Sequence, residues 1–310
     1  MNRSNSSDKR QGGVLVVGSL NMDLVTTTQH APEAGETVFG EDFATHCGGK
    51  GANQAVACAR MGAAVVMAGF VGTDAFGDTL IKTLEAEGIS TTHVIRDSHA
   101  PTGTAIIVVE ATGQNRIIVV PGANHVLGVD AINRLPFDSM KCQVLLVQLE
   151  IPMPTALDAL VRAKAAGLTT ILNPAPAQTL PDRAWPLIDI IVPNETEAEI
   201  LAGIRVTSVD TAVEAARALL NKGVGTAIVT LGSRGAVLVE GDTFLHEEAP
   251  KVAAIDTTAA GDTLIGAFAA ALANGESKAQ ALKLGVQAAS LSVTRKGALP
   301  SIPFREQLPA

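Results

Sequence analysis

The sequence has no tyrosine and a single tryptophan, and aromatic residues make up 3% of its 310 positions. Proteins that bind single-stranded nucleic acid stack bases on aromatic rings, so a chain this poor in rings does not suit that task. Positive charge is also scarce. Lys and Arg number 23 against 31 Asp and Glu, a formal charge of −8. No basic stripe gathers them, which argues against a nucleic-acid surface. An anionic small-molecule substrate stays compatible, because backbone dipoles can outweigh net charge locally. Cysteine is limited to Cys47, Cys58 and Cys142, far apart and without C-x-x-C spacing. A sparse, odd set speaks against a disulfide framework or a zinc site and for a reducing compartment. Long apolar runs are missing too: the most apolar stretch, 264–273, is too short to span a bilayer. Residues 1–13 are polar and lack the apolar centre of a signal peptide. They read as a flexible tail, and the expected location is cytoplasmic.

What the chain does have is small and apolar: 29 glycines and a hydrophobic content of 47%. That is ample for one large α/β domain with a smaller appendage. Residues 14–18 form an apolar run ending in glycine, the signature of a buried strand. Residues 24–28 and 36–44 look extended and half-buried. A helix is expected over 51–61, a strand over 65–71, and a helix over 76–87 closed by Gly88. Two extended runs, 103–110 and 116–120, flank Thr112-Gly113 as a hairpin. Beyond Val126 apolar runs at 144–149, 169–173, 188–193 and 226–231 alternate with helical segments at 154–166, 195–202 and 209–220. Such alternation implies a parallel sheet covered on both faces. A hairpin over 236–240 and 243–247 and helices over 260–273 and 278–294 complete the pattern. The expected fold class is α/β: a doubly wound, mostly parallel sheet with helices on both faces over 14–310. A small β lid is drawn from about 20–45 and 101–124.

Polar or glycine-rich segments close nearly every expected strand, at one edge of the sheet, where ligands bind in such folds. In Asp256-Thr257-Thr258-Ala259-Ala260-Gly261-Asp262, small residues follow a strand-like run and open a helix. Unpaired N–H groups there can hold an anion, and Asp262 can accept a proton from a hydroxyl. Equally, Asp262 can be an acidic residue favoured by the helix dipole. Gly48-Gly49-Lys50-Gly51-Ala52-Asn53 places backbone close to a ligand, although it lacks the Walker spacing and also fits a plain turn. Asn21 and Asp23 share one face where the first buried strand ends; they suit sugar hydroxyls or simple capping. Asn194 and Glu197 fit either a helix cap or the organisation of Mg²⁺ and its waters. Glu150 and the turn Thr230-Leu231-Gly232-Ser233-Arg234-Gly235 end two further strands.

Together these segments resemble the ribokinase (PfkB-type) family of carbohydrate kinases over 14–307. The carriers are the early Gly48–Asn53 loop, the late 256–270 segment, and Asn194-x-x-Glu197. Gly18-Ser-x-Asn21-x-Asp23 and Gly48-Gly-Lys-Gly-Ala-Asn-Gln54 are similar to the ribose-specific branch. The resemblance implies ATP-dependent phosphorylation of D-ribose at its 5-hydroxyl. Asn21, Asp23, Gly49, Lys50, Asn53 and Glu150 would bind the sugar, with Asp262 as base. The amides of Ala259, Ala260 and Gly261 would form the anion hole. ATP would lie against Asn194, Thr230, Leu231, Gly232, Ser233, Arg234, Gly235 and Gly261. Glu197 would hold Mg²⁺ through water. Asp256, Thr258, Ser292, Arg295, Gly297 and Ser301 would surround K⁺, several through carbonyls. A homodimer through the lids is implied as well.

The chain departs from that family in two places. Ala259 stands where glycine is common, which predicts that the anion hole uses right-handed helical geometry there. Leu264-Ile265 replaces a frequent Phe-Asn pair, a packing change expected near the adenine. The rivals are a same-fold kinase for 2-deoxyribose, fructose, fructose 6-phosphate or a nucleoside such as adenosine, and a non-catalytic sugar-binding regulator. A dinucleotide-dependent dehydrogenase is disfavoured, because no Gly-x-Gly-x-x-Gly follows the first strand.

Overall fold

Strand β1 (Gly13–Val17) is buried at every position and sits inside a nine-stranded sheet. The computed structural model describes residues 12–309; most of the expected tail, 1–11, lies outside the described residues, and Gly13 already belongs to β1. After β1 come β2 (Asn21–Thr28), β3 (Asp42–Gly48), α1 (Lys50–Arg60), β4 (Ala64–Gly72), α2 (Ala75–Ala86), β5 (Ser90–Asp97), β6 (Gly103–Glu110), β7 (Asn115–Val120) and the short α3 (Val129–Asn133). The second half holds β8 (Cys142–Gln148), α4 (Met153–Ala165), β9 (Thr169–Asn173), β10 (Ile190–Ile191), α5 (Glu195–Ala202) and α6 (Val209–Leu220). It closes with β11 (Thr226–Thr230), β12 (Ala236–Glu240), β13 (Thr243–Glu247), α7 (Ala260–Ala273) and α8 (Lys278–Ser292).

The large sheet runs β13-β12-β11-β10-β9-β8-β1-β4-β5. All its pairs are parallel except β11–β12 and β12–β13. Its central strands are near-continuous Val, Leu and Ile because both of their faces are covered. One face packs Val16, Met67 and Leu146 under Leu80, Phe268 and Leu282 of α2, α7 and α8. The other packs Leu15, Leu145 and Val229 under Leu160, Leu201 and Leu219 of α4, α5 and α6. α5, α6 and α8 each start on a capping box, at Asn194, Ser208 and Ser277, which satisfies otherwise orphaned amides. Helix α7 is buried nearly all round. It crosses α1 at Gly266, where a Cβ would lie 2.4 Å from the Ala57 Cβ and 2.6 Å from the Gln54 carbonyl. Among the described residues no helix is long and apolar enough to cross a membrane.

A second sheet of four strands, β3-β2-β6-β7, stands apart from the first. Its central pair β2–β6 is parallel and its outer pairs are antiparallel. Every residue of β7 is exposed, among them Ile117, Ile118 and Val119, and Phe43 on β3 is exposed as well.

Several expectations change. The extended segment expected over 36–44 becomes β3 at Asp42–Gly48, and 36–41 forms no strand. The strand expected over 188–193 shrinks to Ile190–Ile191. The strand-like run expected directly before Asp256 is not a strand: β13 ends at Glu247 and 248–255 are irregular. The edge strand β5 was not anticipated, because Ser90-Thr-Thr-His-Val-Ile-Arg-Asp97 is polar and half-exposed. Asn21 and Asp23 do not end the buried β1: they begin β2 of the small sheet.

Candidate active site

The turn into α7 is tied down on both sides. The Asp256 Oδ1 accepts the Thr258 amide at 2.9 Å and its hydroxyl at 2.6 Å, while Oδ2 accepts the Gly297 amide at 2.8 Å. Burial alone would raise the Asp256 carboxyl, but these donors and Lys296 bring it below its ordinary value. The amides of Ile255 and Asp256 both donate to the Val293 carbonyl. Among the residues expected around K⁺, Asp256, Thr258 and Gly297 are thus joined directly. Ser292 accepts the Arg295 amide through its carbonyl, and the Ser301 hydroxyl donates to the Ala298 carbonyl one residue from Gly297.

Ala259 caps α7 with φ 59° and ψ 12°, the left-handed conformation. The expectation of right-handed geometry at this alanine is therefore wrong. The physical reason lies in the turn before the helix. The Ala260 amide closes on the Thr257 carbonyl at 3.2 Å, which makes Ala259 the third residue of a tight turn, a position that takes positive φ. Its carbonyl then accepts the Thr263 amide and hydroxyl, each at 2.8 Å, as the first helical acceptor. A methyl group bears that left-handed conformation at a cost of about 1–2 kcal/mol. The first amides of α7 have no intrahelical partner. A Cβ on Gly261 would meet nothing within 4 Å, and Gly261 lines an open cavity.

Asp262, 8% exposed, lies in this first turn and is gripped from α1. Asn53 Nδ2 donates to its Oδ2 at 2.9 Å and Gln54 Nε2 to its Oδ1 at 2.8 Å. α1 can deliver both because Gly49, its N-cap, has φ 89° and lies against the β1–β2 connection; a Cβ there would sit 2.8 Å from the Asn21 nitrogen. The buried Asn53 Oδ1 has no partner in the protein. Such an atom carries a free-energy cost unless a ligand or water meets it.

Around this pair the sugar-side residues converge. Glu150 Oε2 accepts the Ser19 hydroxyl at 2.5 Å and the Lys50 amide at 3.1 Å. The Lys50 ammonium is held charged mainly by Asp262, against burial, with Glu150 and Glu197 adding. Asp23 is pushed up to about 7 by burial first, then by the Glu150 and Asp262 carboxylates. Asn21 Oδ1 accepts from Asn124 Nδ2 at 2.7 Å. The mutual electrostatic influence of Asp23, Lys50, Glu150 and Asp262 places these charged groups near one another, and acids, amides and an ammonium together are chemistry that suits a polyhydroxylated molecule.

On the far side of Gly261 opens a cavity of about 360 Å³, lined by Thr230, Gly232, Ser233, Gly235, Thr257 and Ala260. Leu264, Val252, Val286, Ala289 and Val293 make it apolar. That volume and lining match a small-molecule site. Leu264 therefore touches the cavity, whereas its neighbour Ile265 packs into the core. Leu231 is buried and Arg234 turns away, pairing with Glu195; neither lines the cavity. Asn194 is bridged to Thr230 and shares its capping box with Glu197, so both sit beside the cavity. Burial pushes the Glu197 carboxyl up, opposed by the Asn194 amide and the Lys50 ammonium. Among the described residues no cluster of three or more His, Cys, Asp or Glu could hold a metal.

Gln54, Asn124, Ser19, Gln148 and Asn173 were missed as site residues. Gln54 directly follows Asn53 in the glycine-rich segment, which is a signal of a kind. Asn124 lies 103 positions from Asn21, and nothing local marks it.

The profile of the pfkB family of carbohydrate kinases matches residues 11–305. A ribokinase of Staphylococcus aureus is 42% identical over 297 residues, covering 95% of this chain and 98% of that protein. A deoxyribokinase of Salmonella typhi is 41% identical over 295 residues, covering 95% and 96%. The structure of Arabidopsis thaliana ribokinase complexed with ribose and ATP superimposes with a TM-score of 0.88 at 32% identity, over 96% of this chain and 97% of that one. A full-length profile match, close relatives along the whole chain and a shared architecture lead to one conclusion: the chain belongs to the pfkB family of carbohydrate kinases.

Proposed function

We propose that the protein phosphorylates D-ribose with ATP, giving ribose 5-phosphate and ADP. The observation that carries this reading is the position of Asp262. Its carboxylate acts electrostatically on Asp23 and Lys50 of the sugar-side residues, and its neighbour Gly261 lines the apolar cavity. Ribose would lie against Asn21, Asp23, Gly49, Lys50, Asn53 and Glu150. The otherwise unpaired Asn53 Oδ1 would accept one of its hydroxyls. Asp262 takes the proton of the 5-hydroxyl, whose oxygen forms a bond to the γ-phosphorus as the bridging bond to ADP breaks. The amides of Ala259, Ala260 and Gly261 at the start of α7 stabilise the charge on the phosphoryl oxygens.

The adenine side of ATP would occupy the cavity, along Thr230 to Gly235 and beside Asn194. Glu197 would hold Mg²⁺ through water, and that ion would neutralise phosphate charge. The joined turns at Asp256–Thr258 and Ser292–Ser301 supply carboxylate and carbonyl oxygens that suit a hard cation, so K⁺ there would order the anion hole without touching substrate. The exposed apolar side chains of β3 and β7 support a homodimer through the small sheets, which would act as lids over 20–45 and 101–124. The unpaired Cys47, Cys58 and Cys142 fit a cytoplasmic enzyme.

A second reading, 2-deoxyribose, is favoured by one observation: the deoxyribokinase relative is as similar as the ribokinases. The Asn21–Asp23 pair weighs toward a sugar with its full set of hydroxyls. One screen decides. Phosphorylation of ribose, 2-deoxyribose, fructose and adenosine by ATP is measured with and without K⁺. Ribose preferred over the deoxy sugar supports the proposal; turnover of 2-deoxyribose at higher kcat/KM replaces it with the second reading. An Asp262→Asn enzyme should lose roughly 10²–10⁴-fold in kcat.

A further inference from the structure

We infer that Gln54 is a positioning residue, which fixes the orientation of the Asp262 carboxylate through a buried chain of side-chain amides. The inference rests on the sugar-kinase reading above.

Gln54 is fully buried. Its Nε2 carries two hydrogens, and both are used: one goes to Asp262 Oδ1 at 2.8 Å, the other to Asn173 Oδ1 at 3.0 Å. Its Oε1 accepts from Gln148 Nε2 at 2.6 Å. Asn173 in turn donates to the Val192 carbonyl at 3.1 Å. This wiring leaves one orientation for the Gln54 amide. Turned over, its oxygen would face the Asp262 carboxylate and the Asn173 oxygen. The anchor is backbone, at the sheet. Gln148 ends β8, Asn173 ends β9, and Val192 follows β10. Asp262, carried on α7, is therefore aligned to the ends of three adjacent parallel strands.

A carboxylate needs such alignment because its terminal torsion is broad and roughly two-fold. To take a proton it must present a lone pair to the hydroxyl. Asn53 holds the other oxygen, Oδ2, but Asn53 is also placed to meet the sugar and can be drawn toward it. Gln54 belongs only to the protein interior. An amide orients the carboxylate without bringing a compensating charge, as a lysine or arginine would.

A buried, satisfied glutamine could instead serve stability alone, and a double-mutant cycle separates the two roles. Wild type, Gln54→Met, Asp262→Asn and the double variant are compared for kcat and KM, using the sugar that turns over best. If Gln54 acts through Asp262, Gln54→Met lowers kcat by about 10- to 100-fold, while KM for sugar and ATP stays within about threefold. In the Asp262→Asn background the same change then has no further effect on kcat. Losses that multiply across the two sites, or a Gln54→Met enzyme with wild-type kcat, overturn the inference. Should Gln54→Met prove insoluble, Gln54→Asn, whose shorter amide does not reach Asp262, enters the same cycle, with the same non-additivity expected. Near-normal turnover in Asp262→Asn overturns the base assignment and the inference with it; multiplicative losses beside a crippled Asp262→Asn overturn the Gln54 role alone.

Discussion

Asn124 donates its side-chain amide to the Asn21 Oδ1 at 2.7 Å, and so leaves the Asn21 NH₂ as the end available to a ligand. Asn124 also accepts the Leu20 amide at 2.9 Å and donates to the Leu20 carbonyl at 3.1 Å. One buried side chain from the segment after β7 thus fixes the point where β1 hands over to β2. Replacing it by alanine strands those partners without access to water. Asn124→Ala should cost about 1–3 kcal/mol of stability and raise KM for the sugar more than it lowers kcat. Urea unfolding and steady-state kinetics test both; an unchanged sugar KM would show that Asn21 does not need its partner.

Asp23 sets a pH dependence. In the folded, ligand-free protein its carboxyl titrates near 7, against an ordinary value of 3.8. The folded state therefore binds a proton over a range where the unfolded chain has lost it. The sign follows: its favourable contribution is complete below 3.8 and is lost as pH rises through about 7. The total is on the order of 1–4 kcal/mol. Asp23→Asn removes the effect, so its stability advantage over wild type should grow from pH 5 to pH 8. Thermal unfolding at the two pH values measures it. An Asp23 that must be ionised to accept sugar hydroxyls also makes the sugar KM rise as pH falls below about 7.

Ala259 carries strain that glycine would not. Ala259→Gly relieves the left-handed cost but gains unfolded-state entropy, so a net stabilisation of up to about 1 kcal/mol is expected. A loss of stability in urea unfolding would mean that the methyl group packs usefully.

Gly261 presents the opposite case. A methyl group added there meets no protein atom within 4 Å, so Gly261→Ala should fold as well as wild type. It would project into the space assigned to the transferring phosphoryl group and cut kcat by roughly 10- to 100-fold. Wild-type turnover with an unchanged melting temperature would move the anion hole elsewhere.

Arg60 ties the end of α1 to the C-terminal segment. It pairs with both oxygens of Glu87, donates to the Leu299 and Ile302 carbonyls at 2.9 and 2.6 Å, and stacks 4.7 Å from the Phe304 ring. Arg60→Ala leaves a largely buried carboxylate and two carbonyls unmatched, a loss of about 3–5 kcal/mol in chemical unfolding.

Much of this architecture was legible because local and global signals agree. α5 and α6 fall over the helical segments expected at 195–202 and 209–220, α5 behind the cap expected at Asn194. β9, β12 and β13 are short apolar or alternating runs closed by Asn173 or the Gly241-Asp242 turn. β5 was not legible, since an edge strand with one wet side carries Thr, His and Arg in place of a continuous apolar run. Asn21 and Asp23 were assigned to the wrong strand, because the break at Gly18–Leu20 between two sheets left no trace in periodicity. At Ala259 a rule about side chains gave way to the tight turn that the Ala260 amide closes on Thr257, which belongs to the folded segment. Gln54 was hidden because its partners come from β8, β9 and α7, brought together by the sheet alone.

The grip of Asn53 on Asp262 joins residues 209 positions apart. On a ribosome adding about 5–20 residues per second, α1 emerges roughly 10–40 s before α7 can reach it. Throughout that interval the face of α1 that meets Gly266, with Ala57 and Cys58, has no cover from its own chain. The nascent protein therefore carries an uncovered apolar helix face while α1 waits for α7, a surface that a chaperone could shield.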